Sequence, residues 1–264
     1  MPYDSRLVFL ILLLLLCASG VGLFLHGLLA EKHKTSQTID HVRLVVSILV
    51  TFTALVLSLL LSEVKGSFDL FDSRVRSFAG DITGLDTRLR QYGEEATPIR
   101  RQLREYVAAV IADTWRDEPT PSGKYPTFPE QTGMERQQLG AMLISVDTAI
   151  QRLDPSDRFH ERLVNSLEAQ MNETLRARRL IIETAHDTIS WPLLLAMCAW
   201  LAIVFGVFGL IAPRNVVVHI TIIICALCVA SAIYFIVEFD RPLEGFIQVE
   251  SEPMRNALAH IDAP

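Results

Sequence analysis

The sequence predicts an all-α membrane protein: four transmembrane helices in two hairpins, with an α-helical cytoplasmic domain inserted between spans 2 and 3. Four uncharged, mostly apolar runs are each long enough to cross a hydrocarbon core, which takes about 20 helical residues. The roughly 125 residues between the two pairs have helical rather than strand periodicity. The four runs are Leu7 to Leu29, Leu44 to Ser62, Thr188 to Pro213 and Asn215 to Val237.

Composition excludes several classes of function. Half of the 264 residues are hydrophobic and the net charge is −6, whereas a nucleic-acid partner calls for a clustered basic surface. All four cysteines fall inside apolar runs, where cysteine mostly acts as a small packing residue. The sequence contains neither a Walker phosphate loop nor a zinc-protease helix motif nor a nucleophile elbow. We therefore predict no enzyme activity, no catalytic residues, no metal site and no cofactor.

The first run resembles a signal peptide in having a positive charge before it and small residues at Cys17 to Gly20. Its apolar stretch is nevertheless longer than the about 15 residues of a typical h-region. The second run follows after a short polar link, as in a helical hairpin. We therefore expect an uncleaved first span; its removal would leave three spans and place the two ends on opposite sides of the membrane.

The distribution of basic residues predicts the orientation. With four spans, both termini and the middle domain lie on one side of the membrane, and that side has more lysine and arginine next to the spans. The positive-inside rule then makes it cytoplasmic. The basic residues on this side are Arg6, Lys65, Arg74, Arg76, Arg176, Arg178, Arg179, Arg241 and Arg255, against Lys32, Lys34, Arg43 and Arg214 on the other.

The elements follow in order. The second span has no proline up to Tyr92, so we expect it to continue beyond the membrane and end near Gly93. Thr97-Pro98 predicts the N-cap and first residue of the next helix, which reaches about Asp113. The prolines and glycines of residues 116–133 predict a loop, and an amphipathic helix follows from Met134.

Asp154-Pro155 predicts the start of the last helix of the domain, which leads towards the third span. Ser251 is the expected cap of a short helix in a tail that docks on the domain. The predicted boundaries are 1–62 for the first hairpin (spans 7–29 and 42–62), 63–187 for the cytoplasmic domain, 188–238 for the second hairpin (spans 190–212 and 216–238) and 239–264 for the tail.

The second span differs from the others in having polar residues on one side. At 100° per residue, these side chains fall within an arc of about 100°. One interpretation is hydrogen bonding between helices by small hydroxyl residues. The other is a pore lining, with Arg43 favouring an anion at the outer mouth. The candidates are Arg43, Ser47, Thr51, Ser58 and Ser62, followed by Lys65, Asp69 and Asp72.

Two further groups of charged residues lie near the ends of the spans. At the outer ends, His219 and Arg214, with His26 and Arg43, either bind anions or anchor the helices at the interface. At the cytoplasmic face, acidic and basic residues predict a salt-bridge network that fixes the angle between helices, with calcium binding as the alternative. This second group consists of Glu238, Asp240, Glu244, Arg176, Arg178 and Arg179.

Two sequence blocks resemble a family of bacterial four-span proteins that have a bestrophin-like domain. The first is Leu85 to Gly93 with Arg100, Leu103 and Tyr106 after it. The second comprises Phe208 to Asn215, Ala226-Leu227, Ala230 to Ala232, Glu238 to Gly245 and Ser251 to Leu258. The resemblance covers most of residues 40–258, with departures at Leu243, where the family has phenylalanine, and Glu94, where it often has proline.

The resemblance implies a topology and a hypothesis. Bestrophins are pentameric anion channels whose second span lines the pore and continues into a cytosolic helical domain. The dense acidic run of their calcium site is missing from this chain, so calcium gating is not implied. We hypothesise a homo-oligomeric channel of the bacterial inner membrane, with the lipid bilayer and an inorganic anion as its partners. The alternative is a non-conducting scaffold or sensor whose cytoplasmic helices bind a partner.

Overall fold

The computed structural model describes residues 3–28, 36–128, 137–185, 191–213, 215–243 and 245–263. These residues form helices, turns and loops without a strand, which confirms the all-α class. The α-helices are α1 (Tyr3–Leu28), α2 (Ser36–Tyr92), α3 (Thr97–Thr114), α4 (Gln137–Gln151), α5 (Arg158–Ala185), α6 (Trp191–Ile211), α7 (Val216–Phe239) and α8 (Glu252–Asp262).

Four of these helices are long and apolar enough to cross a membrane. The membrane-compatible segments are Arg6–Leu28 in α1, Ile39–Tyr92 in α2, Pro192–Ile211 in α6 and Val216–Phe239 in α7. Each overlaps one of the four apolar runs, and the helix in α2 continues about 30 residues beyond the end of its run at Ser62. The chain is therefore a membrane protein with four candidate spans.

The chain divides into two compact units. Unit 1 consists of Met1–Phe68 and Thr188–Ile247, and unit 2 of Asp69–Asp187 and Gln248–Pro264. The helix α2 contributes to both, because it continues without interruption from Ser36 to Tyr92. It ends where expected: Gly93 has a φ of 106°, a left-handed conformation that glycine adopts without strain.

Unit 1 has an apolar core made by all four of its helices. Leu15 of α1, Met197 of α6, and Ala226 and Ile233 of α7 are fully buried there, and Leu60 of α2 is nearly so. Backbones of α1 and α6 approach closely, since a Cβ at Gly22 would overlap the carbonyl oxygen of Gly206. In lipid, such close packing of small residues replaces the hydrophobic effect as the source of helix association.

Unit 2 is a helical bundle around the C-terminal part of α2. Buried residues of α2 recur at alternating steps of four and three, the spacing of a helix that packs against others along one stripe. These are Phe71, Val75, Phe78, Ile82, Leu85, Leu89 and Tyr92. Other helices supply Leu103 and Tyr106 (α3), Leu139 and Leu143 (α4) and Leu167 and Met171 (α5), all fully buried.

Two predicted helix starts need correction, and a third lies outside the described residues. A 3-10 turn at Glu94–Ala96 leads directly into α3, so Ala96 occupies the cap position and Thr97 is already helical. For α5, Asp157 rather than Asp154 binds the first free amides, those of Phe159 and His160. Met134 lies outside the described residues, and α4 begins at Gln137.

At α8 the predicted boundary is right, but the role of the serine differs. Ser251 is the N-cap residue without a capping bond from its side chain, and its hydroxyl instead donates to a carboxylate oxygen of Glu118.

Candidate functional site

The polar residues of α2 lie on the surface of unit 1. Ser47, Thr51, Ser58 and Ser62 are all exposed. The Ser47 hydroxyl donates to the Leu44 carbonyl oxygen at 2.7 Å, and the Thr51 hydroxyl to that of Ser47 at 2.9 Å. Because the hydroxyls of Ser47 and Thr51 donate their hydrogens to backbone carbonyl oxygens of α2, their oxygen lone pairs face outward. We call Arg43, Ser47, Thr51, Ser58 and Ser62 the polar arc.

The packing face of α2 lies on another side of the helix. Its buried residues in unit 1 are Val46, Thr53, Leu60 and Val64, each at most 5 % exposed. At 100° per residue, the centre of this face is about 130° from the centre of the polar arc. The polar arc is therefore not the surface through which α2 packs on the described helices of its own unit.

Charged residues flank the polar arc at both ends. The Arg43 guanidinium lies 3.5 Å from the Asp40 carboxylate, and both side chains are about two-thirds exposed. After Ser62 comes Lys65, whose Nζ lies 5.3 Å from the ring centroid of Phe68 and 5.4 Å from that of Phe239. An ammonium group at these distances is attracted by the negative faces of the rings.

The outer-end candidates bind backbone groups. Nδ1 of His219 is 2.7 Å from the carbonyl oxygen of Asn215, the residue that caps α7 through its side chain. Nδ1 of His26 is likewise 2.7 Å from the Leu210 carbonyl oxygen, which links α1 to the end of α6. Arg214 lies outside the described residues. An anion site at the outer ends stays a prediction.

The acidic candidates at the end of α7 organise the chain that follows. Glu238 is 3 % exposed, and its carboxylate accepts hydrogen bonds from the backbone amides of Phe246 and Ile247. The chain turns back to Glu238 at Gly245, which has a φ of 92°. A residue with a Cβ at this position would overlap the Glu238 carboxylate. Asp240 is the C-cap residue of α7, and Glu244 lies outside the described residues.

The basic candidates lie on α5 in unit 2. Arg176 is bound to Glu173 at 3.1 Å on the surface, and Arg179 is exposed. Arg178 lies beside Tyr106 of α3: burial raises the pKa of Tyr106 to about 12, while Arg178 acts in the opposite direction. A network between these arginines and Glu238, Asp240 and Glu244 stays a prediction.

A charge cluster that the sequence did not predict holds the tail in unit 2. Asp86 is completely buried and accepts from Arg90 at 2.8 Å and from Arg100 at 2.7 Å. The same two arginines donate to carbonyl oxygens at the end of α8, those of His260, Ile261 and Ala263. The four-residue spacing of Asp86 and Arg90 was a signal for an ion pair, but not for its burial.

A second polar group lies between α2 and α5 of unit 2. Burial raises the pKa of Asp81, and a hydrogen bond from Gln170 partly offsets this. Arg88 binds Ser166 at 2.8 Å and Gln170 at 2.8 Å. Within the described part of the chain, no group of three or more His, Cys, Asp or Glu side chains is arranged to hold a metal ion.

Comparison with solved structures supports a known fold. The chain is similar to two variant structures of a bacterial bestrophin homologue from Klebsiella pneumoniae. One carries a tryptophan-to-alanine substitution: its TM-score is 0.68 at 12% identity, with 100% of both chains covered. The other carries an isoleucine-to-threonine substitution: its TM-score is 0.55 at 11% identity, with 97% of this chain and 99% of that chain covered.

Sequence comparison identifies the family. No curated protein matches the chain. The family model for the bestrophin-like domain matches residues 12–254, which is most of the sequence. The match includes most of the first candidate span, the other three spans and most of unit 2. The chain therefore belongs to the family of proteins with a bestrophin-like domain.

Proposed function

We propose that the protein is an oligomeric anion channel of the bacterial inner membrane, in which the polar arc of α2 lines the pore. The observation that carries this proposal is the exposure of the polar arc on a side of α2 that does not pack on its own unit. A row of hydroxyl groups along a span is suited to contact with water and ions. Several copies around an axis would enclose such a row.

Exposed hydroxyls alone do not single out α2. On α7, Thr221 and Ser231 are also exposed, and each hydroxyl donates to a carbonyl oxygen of its own helix. What distinguishes α2 is the number of polar residues on one side and the basic residues at both ends. The fold of the bestrophin homologue supports the proposal at the level of architecture only.

The test is ion flux through purified protein in liposomes. We expect chloride or nitrate flux from the unaltered chain, and a loss of about tenfold when Ser47, Thr51 and Ser58 are all replaced by leucine, because each hydroxyl contact contributes a modest free energy. Replacement of Thr221 and Ser231 by leucine is the matched control, since those hydroxyls have the same bonding and exposure on α7. We expect it to leave flux unchanged.

The scaffold or sensor alternative makes the opposite prediction. If no chloride, nitrate, sodium or potassium flux occurs under several pH and calcium conditions, the channel proposal fails. A cellular function that survives the three leucine substitutions, but not substitutions in residues 85–111, would favour partner binding by unit 2.

A further inference from the structure

Lys65 is the first charged residue of α2 on the side of the polar arc after Arg43. No charged residue lies between Arg43 and Glu63. Glu63 is on the far side of the helix, about 150° from the centre of the polar arc, whereas Lys65 lies within its angular range. An ion moving along the polar arc from Arg43 would therefore meet Lys65 as the next fixed charge.

The Lys65 ammonium has a defined position. Its Nζ is 5.3 Å from the centroid of Phe68 and 5.4 Å from that of Phe239, and these rings pack edge to face with their centroids 5.3 Å apart. A lysine side chain is otherwise long and flexible. Two aromatic neighbours therefore restrict where the charge can lie.

The second aromatic neighbour is itself fixed. Phe239 ends α7 and packs partly buried against the apolar core of unit 1. The residue before it, Glu238, is buried and bound to the amides of Phe246 and Ile247. Lys65 is thus positioned from α7 as well as from its own helix.

The next charges on this side of α2 have the opposite sign. Asp69 follows four residues after Lys65, a spacing that brings side chains together on a helix surface. Asp72 is bound to Arg76 at 2.9 Å. Lys65 and Asp69 therefore contribute opposite potentials to the same stretch of α2, and their individual substitution should shift ion preference in opposite directions.

We propose that Lys65 sets the charge preference of the pore by attracting small inorganic anions at the end of the polar arc marked by Ser62. This inference rests on the proposed function. It adds that the ammonium positioned by Phe68 and Phe239 is a selectivity-determining group in addition to Arg43.

The experiment is a measurement of the chloride-to-potassium permeability ratio from reversal potentials of the full chain in planar bilayers. Lys65→Gln should lower the ratio about tenfold, because a unit charge about 5 Å from the ion path, at an effective dielectric constant of about 50 in a hydrated pore, changes ion occupancy about tenfold. Lys65→Arg should keep it near the original value. Phe239→Leu should give an intermediate ratio without altering any charge, and Asp69→Asn should raise the ratio.

Arg6→Gln is the matched control for surface charge, since Arg6 is an exposed basic residue on α1. If Lys65→Gln and Lys65→Arg conduct with an unchanged ratio, the selectivity role is wrong and the channel proposal stands. The same conclusion follows if Arg6→Gln shifts the ratio as much as Lys65→Gln. If the unaltered chain does not conduct at all, both proposals fail.

Discussion

At the residue scale, a buried polar cluster of unit 2 centres on one carboxylate. Asp86 is fully buried, yet it is bound by two arginines whose side chains are only about one quarter exposed. A buried charge is tolerated when it is paired and hydrogen-bonded, and removal of one partner leaves the others uncompensated. Both arginines also hold the end of α8, so the pairing and the docking of the tail depend on each other.

We predict that Asp86→Ala lowers the free energy of unfolding by about 2 to 4 kcal/mol, because Arg90 and Arg100 lose their counter-charge. Proteolysis of the purified protein in detergent would measure the loss and show release of the tail. Asp72→Ala is the control, since the pair of Asp72 and Arg76 has the same spacing but is accessible to solvent and should contribute much less. Equal losses in both variants would contradict the prediction.

A second residue-scale prediction concerns pH. The pKa of Asp157 is lowered, chiefly by the hydrogen bond from the backbone amide of His160, then by the His160 side chain. A lowered folded-state pKa means that the carboxylate adds stability above its ordinary pKa and that this stability is lost as the pH falls through the lowered value. We expect the melting temperature of Asp157→Asn to be below that of the unaltered chain at pH 6 and to converge with it in strong acid.

Asp154→Asn serves as the comparison for this titration, since the described amides at the start of α5 bind Asp157 instead. Its melting temperature should follow that of the unaltered chain at every pH. If the melting temperature of Asp157→Asn differs from that of the unaltered chain by the same amount at neutral and acidic pH, the charge of Asp157 does not contribute to stability.

At the element scale, the contact between α1 and α6 depends on glycines. A Cβ at Gly22 would overlap the Gly206 carbonyl oxygen, and one at Gly209 would overlap that of Ser19. The apolar pattern of these helices did not reveal this, because a run of apolar residues indicates membrane insertion but not which side of the helix meets another backbone. Small residues mark such a contact only once the partner helix is known.

We predict that Gly22→Ala destabilises the protein by about 1 to 3 kcal/mol, the usual cost of overpacking. Gly20→Ala, two residues away on the same helix, should have an effect within about 0.5 kcal/mol, since nothing lies within 4 Å of its Cβ position. Thermal unfolding of both variants in the same detergent measures the difference. Similar melting temperatures would mean that α1 and α6 adjust their separation without cost.

The exact starts of the helices were also difficult to predict from the local sequence. Asp154-Pro155 has the composition of a helix start, but Asp157 caps α5, and the two candidates are too close in sequence for composition to separate them. For α3, the preceding 3-10 turn makes Thr97 helical. The end of α2 was easier to predict, because only glycine adopts the conformation of Gly93 without strain.

At the scale of the whole molecule, the proposed pore requires several copies of the chain. A single chain of 29.6 kDa exposes the polar arc, and hydroxyl groups facing water within a membrane call for a ring that encloses the water. We predict that native mass spectrometry in detergent shows an oligomer of about five or more copies, as the resemblance to bestrophins implies. A mass of 29.6 kDa alone would contradict the pore.

Orientation is a separate prediction at this scale. The excess of lysine and arginine next to the spans on the side of the termini predicts that both ends are cytoplasmic. A green fluorescent protein fused after Pro264 should fluoresce in bacterial cells, because that protein folds only in the cytoplasm when exported through the general secretion route. An alkaline phosphatase fusion at the same position should be inactive; activity of that fusion would reverse the assignment.

The sequence by itself determined the four spans, the helical class and the length of α2, because hydrophobicity, helical periodicity and glycine punctuation are local properties. It also indicated the polar side of α2. Only the tertiary structure decided that this side is exposed, that Asp86 is buried between Arg90 and Arg100, and that Lys65 lies beside both Phe68 and Phe239. Such facts depend on residues far apart in the chain, whose meeting is fixed by packing and not by neighbouring sequence.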